Sequence, residues 1–553
     1  MFRPKFFALI KDSPSEFSRR NLLREITAGL VVAFIALPLS IALAIASGVA
    51  PERGLITAVV AGFLVSLLGG SRVQIAGPTG AFVVIVYGIV GQHGIDGLIL
   101  ATFIAGVFLV VMGLLKFGSF LRYVPYPVIT GFTSGIAVVL FSTQVNDFLG
   151  LGLANIPGDF FGKWKLYIAN LHAVNLQAFG VGLFALAILI FWPKKIKLLP
   201  SYLVALVGAT LAVKIFNLDV ATIGSTFGQI PAAIALPHMP QISFDKISAL
   251  LQPALVIAFL AGIESLLSAV VADGMIGKKH RPNTELIANG IANIASALFG
   301  GLPATGAIAR TAANIDNGAR TPAAGMAHAV FLLIMMLCFM NYINYIPMTC
   351  LAAILFMVCY RMSSWRSFVD LFKAPLSDII VLLTTFGLTV IKDLVVAIEF
   401  GLVLAAVLFM KRMAEVYQIS AYDDDIMDEV HDKDDIEFKK IAKHVSVYEI
   451  NGPFFFGAAS VFVDTLENMK ECRVLILRMR GVPAMDATGY HALHQIYKRC
   501  LGSGVQMILS HVQPQPMKLL QKYGFTDKLG REYFCKNIDA SLKKAKEIVS
   551  QQN

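Results

Sequence analysis

Charge is scarce in this 553-residue chain: 15% of its residues are Asp, Glu, Lys or Arg, against 56% that are hydrophobic. A water-soluble domain carries nearer 25% charge, so the shortage excludes a chain that is soluble along its whole length. Cysteine is also sparse. The six, Cys338, Cys350, Cys359, Cys472, Cys500 and Cys535, include no CxxC pair, and three lie in apolar runs. Neither a disulfide framework nor a zinc site is expected, and no cofactor is called for. The net charge of +10 does not point to nucleic acid, because the basic residues sit in short loops beside apolar runs. No small-residue cleavage site follows Arg3, Lys5, Lys11, Arg19 and Arg20 before the first apolar run, so no cleavable signal peptide is expected.

What the chain has in quantity is apolar runs, at about 26–47, 54–70, 78–91, 95–115, 127–149, 176–192, 201–217, 250–272, 284–299, 304–315, 323–342, 347–360, 376–391 and 394–410. Several are shorter than the roughly 20 residues of a full membrane span. The basic residues support all fourteen. With the N-terminus inside, the inner loops hold Lys116 and Arg122, Lys194, Lys195 and Lys197, Lys278, Lys279 and Arg281, Arg320, Arg361, Arg366 and Lys373, and Lys411 and Arg412. The outer loops hold little beyond Lys163, Lys165, Lys246 and Lys392. This bias is the positive-inside pattern, and an even count places both termini in the cytoplasm.

Two glycine-proline turns interrupt the apolar chain in nearly the same way. One runs from Gly69-Gly70-Ser71-Arg72 to Gly77-Pro78-Thr79-Gly80-Ala81, the other from Gly300-Gly301-Leu302-Pro303 to Ala304-Thr305-Gly306-Ala307. At similar distances beyond them stand Tyr123-Val124-Pro125 and Tyr345-Ile346-Pro347. Matched, interrupted segments in the two halves of a membrane protein point to a transporter's binding site. A half-helix that starts at mid-membrane leaves its first N–H groups unpaired, with the positive end of its dipole facing inward. Two such ends that meet make an anion site. Thr79, Gly80, Ala81, Ala307, Ile308 and Ala309 are the expected half-helix starts, with small side chains that permit close approach. Gln74 is placed to add an amide donor.

Two charges stand inside apolar segments. Arg310 in hydrocarbon costs about 2.5–3.5 kcal/mol or more, so it should face a cavity or a partner. Glu264 is the sole acid between Lys246 and Asp273. A buried carboxylate of this kind can exchange protons and couple them to an anion. Ser268 follows one helical turn later.

Beyond Arg412 the composition changes. Residues 413–443 read as an acidic linker, with Asp423-Asp424-Asp425 and Asp434-Asp435. From 444 the chain reads as a small α/β domain with strands near 445–450, 474–477 and 505–510. Helices are expected near 457–470, 487–501 and 515–522.

Both parts resemble one family. Gly-Val-Ala-Pro-Glu-Arg-Gly at 48–54, the 69–81 turn, Glu264-Ser265-Leu266-Leu267 with Asp273-Gly274-Met275, Asn283-Thr284-Glu285-Leu286, and Gly300 through Arg310-Thr311 resemble the SulP anion transporters. Met485-Asp486-Ala487-Thr488-Gly489 resembles the signature loop of a STAS domain. The resemblance implies a polytopic α-helical membrane protein of about fourteen segments. These would form a seven-plus-seven inverted repeat (about 21–220 and 245–412) with two half-helices. A cytoplasmic STAS domain (444–553) follows, and residues 1–20 form a cytoplasmic N-terminal segment. It also implies a core domain that moves against a gate, a homodimer, an arginine beside the anion site, and a pocket lined by the first helix at Phe34, Pro38 and Ser40. Sodium-coupled relatives carry Asp where Glu264 stands, a Thr where Ser268 stands and a Thr where Ile308 stands. The missing hydroxyl at Ile308 weakens a cage for a hard cation and favours protons. Thr488 either caps a helix or corresponds to a regulatory phosphosite.

The expected function is secondary active, proton-coupled symport of a small oxyanion or carboxylate (sulfate, bicarbonate or a four-carbon dicarboxylate) across a bacterial inner membrane. An anion exchanger, a sodium-coupled bicarbonate symporter, an anion channel and a membrane-tethered sensor are the alternatives. An enzyme is not expected.

Overall fold

Every apolar run falls on a helix. The computed structural model describes all residues except 1, 120–123, 154–155, 194–198, 229–236, 241–242, 393, 416–417, 423–440, 456–471 and 552–553. Arg122, Tyr123, Lys194, Lys195, Lys197, the acidic stretch 423–435 and the helix expected near 457–470 lie outside the described residues.

A short helix, α1 (Lys5–Asp12), precedes α2 (Arg19–Ala46) and α3 (Pro51–Leu68). After the two-residue strand β1 (Ala76–Gly77) comes α4 (Gly80–Leu114). It bends at Gly94, whose φ of 67° is disfavoured for any residue with a Cβ. Its two arms are the third and fourth apolar runs. There follow α5 (Tyr126–Leu149), α6 (Phe160–Ala169) in the long loop before α7, α7 itself (Leu176–Phe191), α8 (Ser201–Ile215) and the single-turn α9 (Ile223–Phe227). The second half holds α10 (Phe244–Ile276), α11 (Pro282–Leu298), β2 (Thr305–Gly306), α12 (Ile308–Asp316) and α13 (Ala323–Ile343). It ends with α14 (Met348–Met362), α15 (Trp365–Asp370), α16 (Leu376–Ile391) and α17 (Leu394–Glu415). Seven helices are long and apolar enough to cross a membrane by themselves, and α7, α8 and α16 are shorter apolar helices. Leu176 and Phe191 are about four-fifths exposed, as side chains that face lipid would be.

Packing is exchanged between the halves. The helix α3 packs on α13 as α11 packs on α4; α2 packs on α13 as α10 packs on α4; and α7 packs on α14 as α16 packs on α5. An inverted repeat requires this exchange. Small residues permit a close crossing: a Cβ on Gly106 of α4 would stand 2.7 Å from Gly290 O of α11, and one on Gly290 would stand 2.6 Å from Gly106 O.

The C-terminal unit is a five-stranded sheet in the order β3 (Gln418–Tyr422), β4 (Val445–Asn451), β5 (Val474–Gly481), β6 (Gln506–Ser510), β7 (Phe534–Cys535). The pair β3–β4 is antiparallel and the other pairs are parallel. Alternation along the strands serves two faces. Leu475, Leu477 and Met479 pack with Leu493 and Ile496 of α18 (Ala487–Gly502), Leu520 of α19 (Pro514–Lys522) and Phe525 of α20 (Phe525–Leu529). Val474 and Ile476 pack with Ile538 and Leu542 of α21 (Ile538–Gln551). The sheet takes in Gln418–Tyr422, inside the stretch read as linker. Its acidic surroundings obscured a strand that only an antiparallel partner reveals.

Candidate functional site

The two glycine-proline turns meet. Strands β1 and β2 pair antiparallel, Ala76 with Gly306 and Gly77 with Thr305, and Ala307 N donates to Ile75 O at 2.8 Å. The pairing gives two breaks in the membrane bundle a shared set of backbone partners. It also sets the starts of α4 and α12 beside each other. Neither helix has a side-chain cap at its N-cap residue, Thr79 or Ala307. The first-turn N–H groups of Gly80 and Ala81, and of Ile308 and Ala309, therefore lack intrahelical partners. Pro125 and Pro347 start α5 and α14, which pack on each other.

Arg310 is 3% exposed and bridges the halves. Its Nη2 donates to Pro78 O, and a Cβ on Gly77 would lie 2.6 Å from its Nη1. The guanidinium thus lies against the first strand and holds the turn that carries α4. Next to it, Thr311 Oγ1 accepts from Ile75 N at 3.0 Å and from Ser268 Oγ at 3.2 Å. Asn314 Nδ2 donates to Val73 O at 2.9 Å, and Thr305 Oγ1 donates to Ala261 O at 2.8 Å. On the opposite side of the pair, Thr79 Oγ1 donates to Glu264 Oε2 at 2.9 Å.

A polar stripe on α11 supports the same hub. Glu285, Asn289, Asn293 and Ser296 are all fully buried. Asn293 donates to Ala304 O and accepts from Ala304 N, both at 2.8 Å. Ser296 Oγ donates to Leu302 O at 2.7 Å. Glu285 Oε2 accepts from Gly70 N at 2.6 Å and Ser71 N at 2.8 Å. From α3, Thr57 Oγ1 accepts from Leu302 N at 2.6 Å, and Arg53 Nη1 donates to Gly300 O at 2.6 Å. Both loops are thereby held at many backbone positions.

The expected site residues separate into those that face the junction and those that brace it. Ile308 is 43% exposed and Ala309 is exposed, so the start of α12 is accessible. Gly80 and Ala81 are buried, and a Cβ on Gly80 would stand 3.3 Å from Met362 Sδ. Phe34 is half-buried and packs on the core around Ala33 and Leu37, while Pro38 and Ser40 are buried within α2. Four placements differ from the reading of the sequence. Ala307 spends its N–H on Ile75 O. Gln74 Nε2 donates to Ser265 Oγ at 2.7 Å, so it braces α10. Ser268 turns to Thr311 and not to Glu264. Thr488 is not the cap of α18; Asp486 is, accepting from Gly489 N at 2.8 Å, and Thr488 lies exposed in the first turn. The first three differences arise because a closer polar partner comes from a segment distant in sequence, and the fourth because the helix is capped two residues earlier, at Asp486. The stripe on α11 was not singled out, although its spacing of 285, 289, 293 and 296 marks one helical face.

Comparison with known proteins agrees with this architecture. Residues 22–385 match the sulfate permease family and residues 437–545 match the STAS domain. The Bacillus subtilis protein YvdB, whose name assigns it only provisionally to sulfate transport, is 41% identical over 95% of this chain and 98% of its own. The bicarbonate transporter BicA of a Picosynechococcus is 30% identical over 95% of both chains. The solved transmembrane domain of a cyanobacterial BicA superposes with a TM-score of 0.62 at 32% identity, covering 70% of this chain and 98% of that one. The overall structure of SLC26A9 shares the fold, with a TM-score of 0.86 at 16% identity over 98% of this chain and 93% of that one. The chain belongs to the sulfate permease (SulP) family of anion transporters and carries a C-terminal STAS domain.

Proposed function

We propose that the protein takes up a small oxyanion or carboxylate by proton-coupled alternating access. The observation that carries this reading is the β1–β2 pair, which sets two uncapped half-helix starts together with Arg310 behind them and Glu264 beside them. The N–H groups of Gly80, Ala81, Ile308 and Ala309 hold the anion, and Arg310 supplies positive field through the Pro78 turn. Sulfate and bicarbonate are the substrates named for relatives, and both fit a site that selects by charge and size. Protons are favoured over sodium because Ile308 has no hydroxyl, which leaves a hard cation short of an oxygen ligand. The carboxyl of Glu264 binds the proton in the same state that admits the anion, since an ionised carboxylate there would repel it. The chain acts as a homodimer in a bacterial inner membrane, with both termini and the STAS domain in the cytoplasm and no part in nucleic-acid binding. The STAS domain meets a cytoplasmic protein partner.

Uptake of labelled sulfate and bicarbonate into proteoliposomes tests the reading. Uptake should rise as external pH falls and collapse when the proton gradient is dissipated. Arg310→Ala should reduce it at least tenfold. Glu264→Gln should keep anion binding and lose the pH response. Sodium-driven uptake that ignores the proton gradient would overturn the coupling, and normal uptake by Arg310→Ala would overturn the site.

A further inference from the structure

Away from the anion junction, a cavity of about 420 Å³ opens at the end of the bundle that carries the N-terminus, where α4 stops and α11 starts. Arg3, Lys116, His280, Arg281, Asn283 and Thr284 line it, and no Asp or Glu is among its described lining residues. Asp273 holds His280, with its Oδ2 2.7 Å from His280 Nδ1. Arg281 donates one N–H to Arg3 O at 2.7 Å and has no ion pair among the described residues. Lys116 turns the chain at a φ of 63°, a conformation that disfavours any side chain. It is exposed and lines the cavity.

The start of α11 adds to this positive field. Arg281 at its N-cap offers no side-chain acceptor to the first turn, and the one acid there, Glu285, is turned away to Gly70 N and Ser71 N. The positive end of a 17-residue helix therefore meets the cavity at Asn283 and Thr284. Nearby, Lys5 is depressed below its ordinary pKa by burial and then by the charges of Arg281 and Arg72. Beside the cavity, Leu114 and Leu115 are 65% and 63% exposed at the end of α4, as residues in contact with acyl chains would be. Basic pockets at this level between membrane helices suit anionic headgroups.

We propose that this cavity binds the phosphate headgroup of an anionic phospholipid, with the acyl chains along Leu114 and Leu115. The bound lipid clamps the N-terminal segment to the core. Lys5 N donates to Gly69 O at 2.9 Å, and Arg281 N donates to Gly70 O at 3.0 Å, so the clamp lies on the loop that leads into β1.

Thermal unfolding of the full-length protein in detergent is the test, with short-chain phosphatidylglycerol, phosphatidylcholine of the same chain length, or inorganic phosphate added. Phosphatidylglycerol should raise the midpoint by several degrees and phosphatidylcholine should not. Lys116→Gln, at an exposed position, should lose at least half of the rise; Lys116→Arg should keep it; Lys116→Gln with Arg281→Gln should abolish it. Equal shifts with both lipids, or a full phosphatidylglycerol shift in Lys116→Gln, would overturn the proposal. So would a rise of the same size with inorganic phosphate that the double variant abolishes, since that marks a site for free anion and not for lipid. None of these readouts depends on transport.

Discussion

At the scale of the residue, Gly77 decides where a charge can stand. Its missing side chain is the space that Arg310 occupies, because a Cβ there would come within 2.6 Å of Nη1. Gly77→Ala should push the guanidinium off Pro78 O and weaken anion binding at least tenfold while the helices remain folded. Binding by isothermal titration and helicity by circular dichroism check this together, and undiminished affinity would count against it. Arg310 and Glu264 were legible in the sequence because a single charge in an apolar segment is conspicuous. The hydrogen bonds that settle Gln74 and Ser268 were not. Each competing partner, Ser265 for the one and Thr311 for the other, comes from a helix distant in sequence.

At the scale of the element, α11 supports both interrupted loops through one polar face. Asn293 satisfies both backbone groups of Ala304. Asn293→Ala should leave two buried groups unpaired, at a cost on the order of 2–4 kcal/mol. The melting midpoint should fall and the anion affinity should drop with it; an unchanged midpoint would show that water replaces the amide without loss. Long apolar helices were readable from hydropathy alone, and so were the breaks between α3 and α4 and between α11 and α12, where Gly and Pro cannot continue a helix. The helices α1 and α6 were not found, being short and outside the apolar runs. Strand β3 was not found because a single edge strand next to an acidic stretch carries no periodic signal of its own. That β1 and β2 pair with each other was foreshadowed only by the matching order of their residues.

At the scale of the molecule, the membrane bundle and the STAS sheet each have their own core. The sheet begins at Gln418, which changes where the chain can be cut. Truncation just before Gln418 should leave a protein that still binds anion. Truncation near 440 should leave β3 without β4, an open strand edge that promotes aggregation. Size-exclusion chromatography and anion titration of the two truncated proteins check this, and identical monodisperse behaviour of both would show that β3 is dispensable. The two echoed turns marked matching halves and the family resemblance implied the seven-plus-seven plan, but the exchanged helix pairings that express it required the folded chain.

The pairing of Ala76 with Gly306 also sets an order of events during synthesis. The first strand leaves the ribosome more than two hundred residues before its partner. At roughly 5–20 residues per second that is a wait of about 10–40 s. Throughout it, the turn between α3 and α4 sits in or beside the bilayer with unsatisfied backbone groups that hydrocarbon does not tolerate. The nascent first half therefore needs shelter from the insertion machinery or a chaperone until the second half arrives, and a chain that stalls before β2 should be a favoured target of membrane proteases.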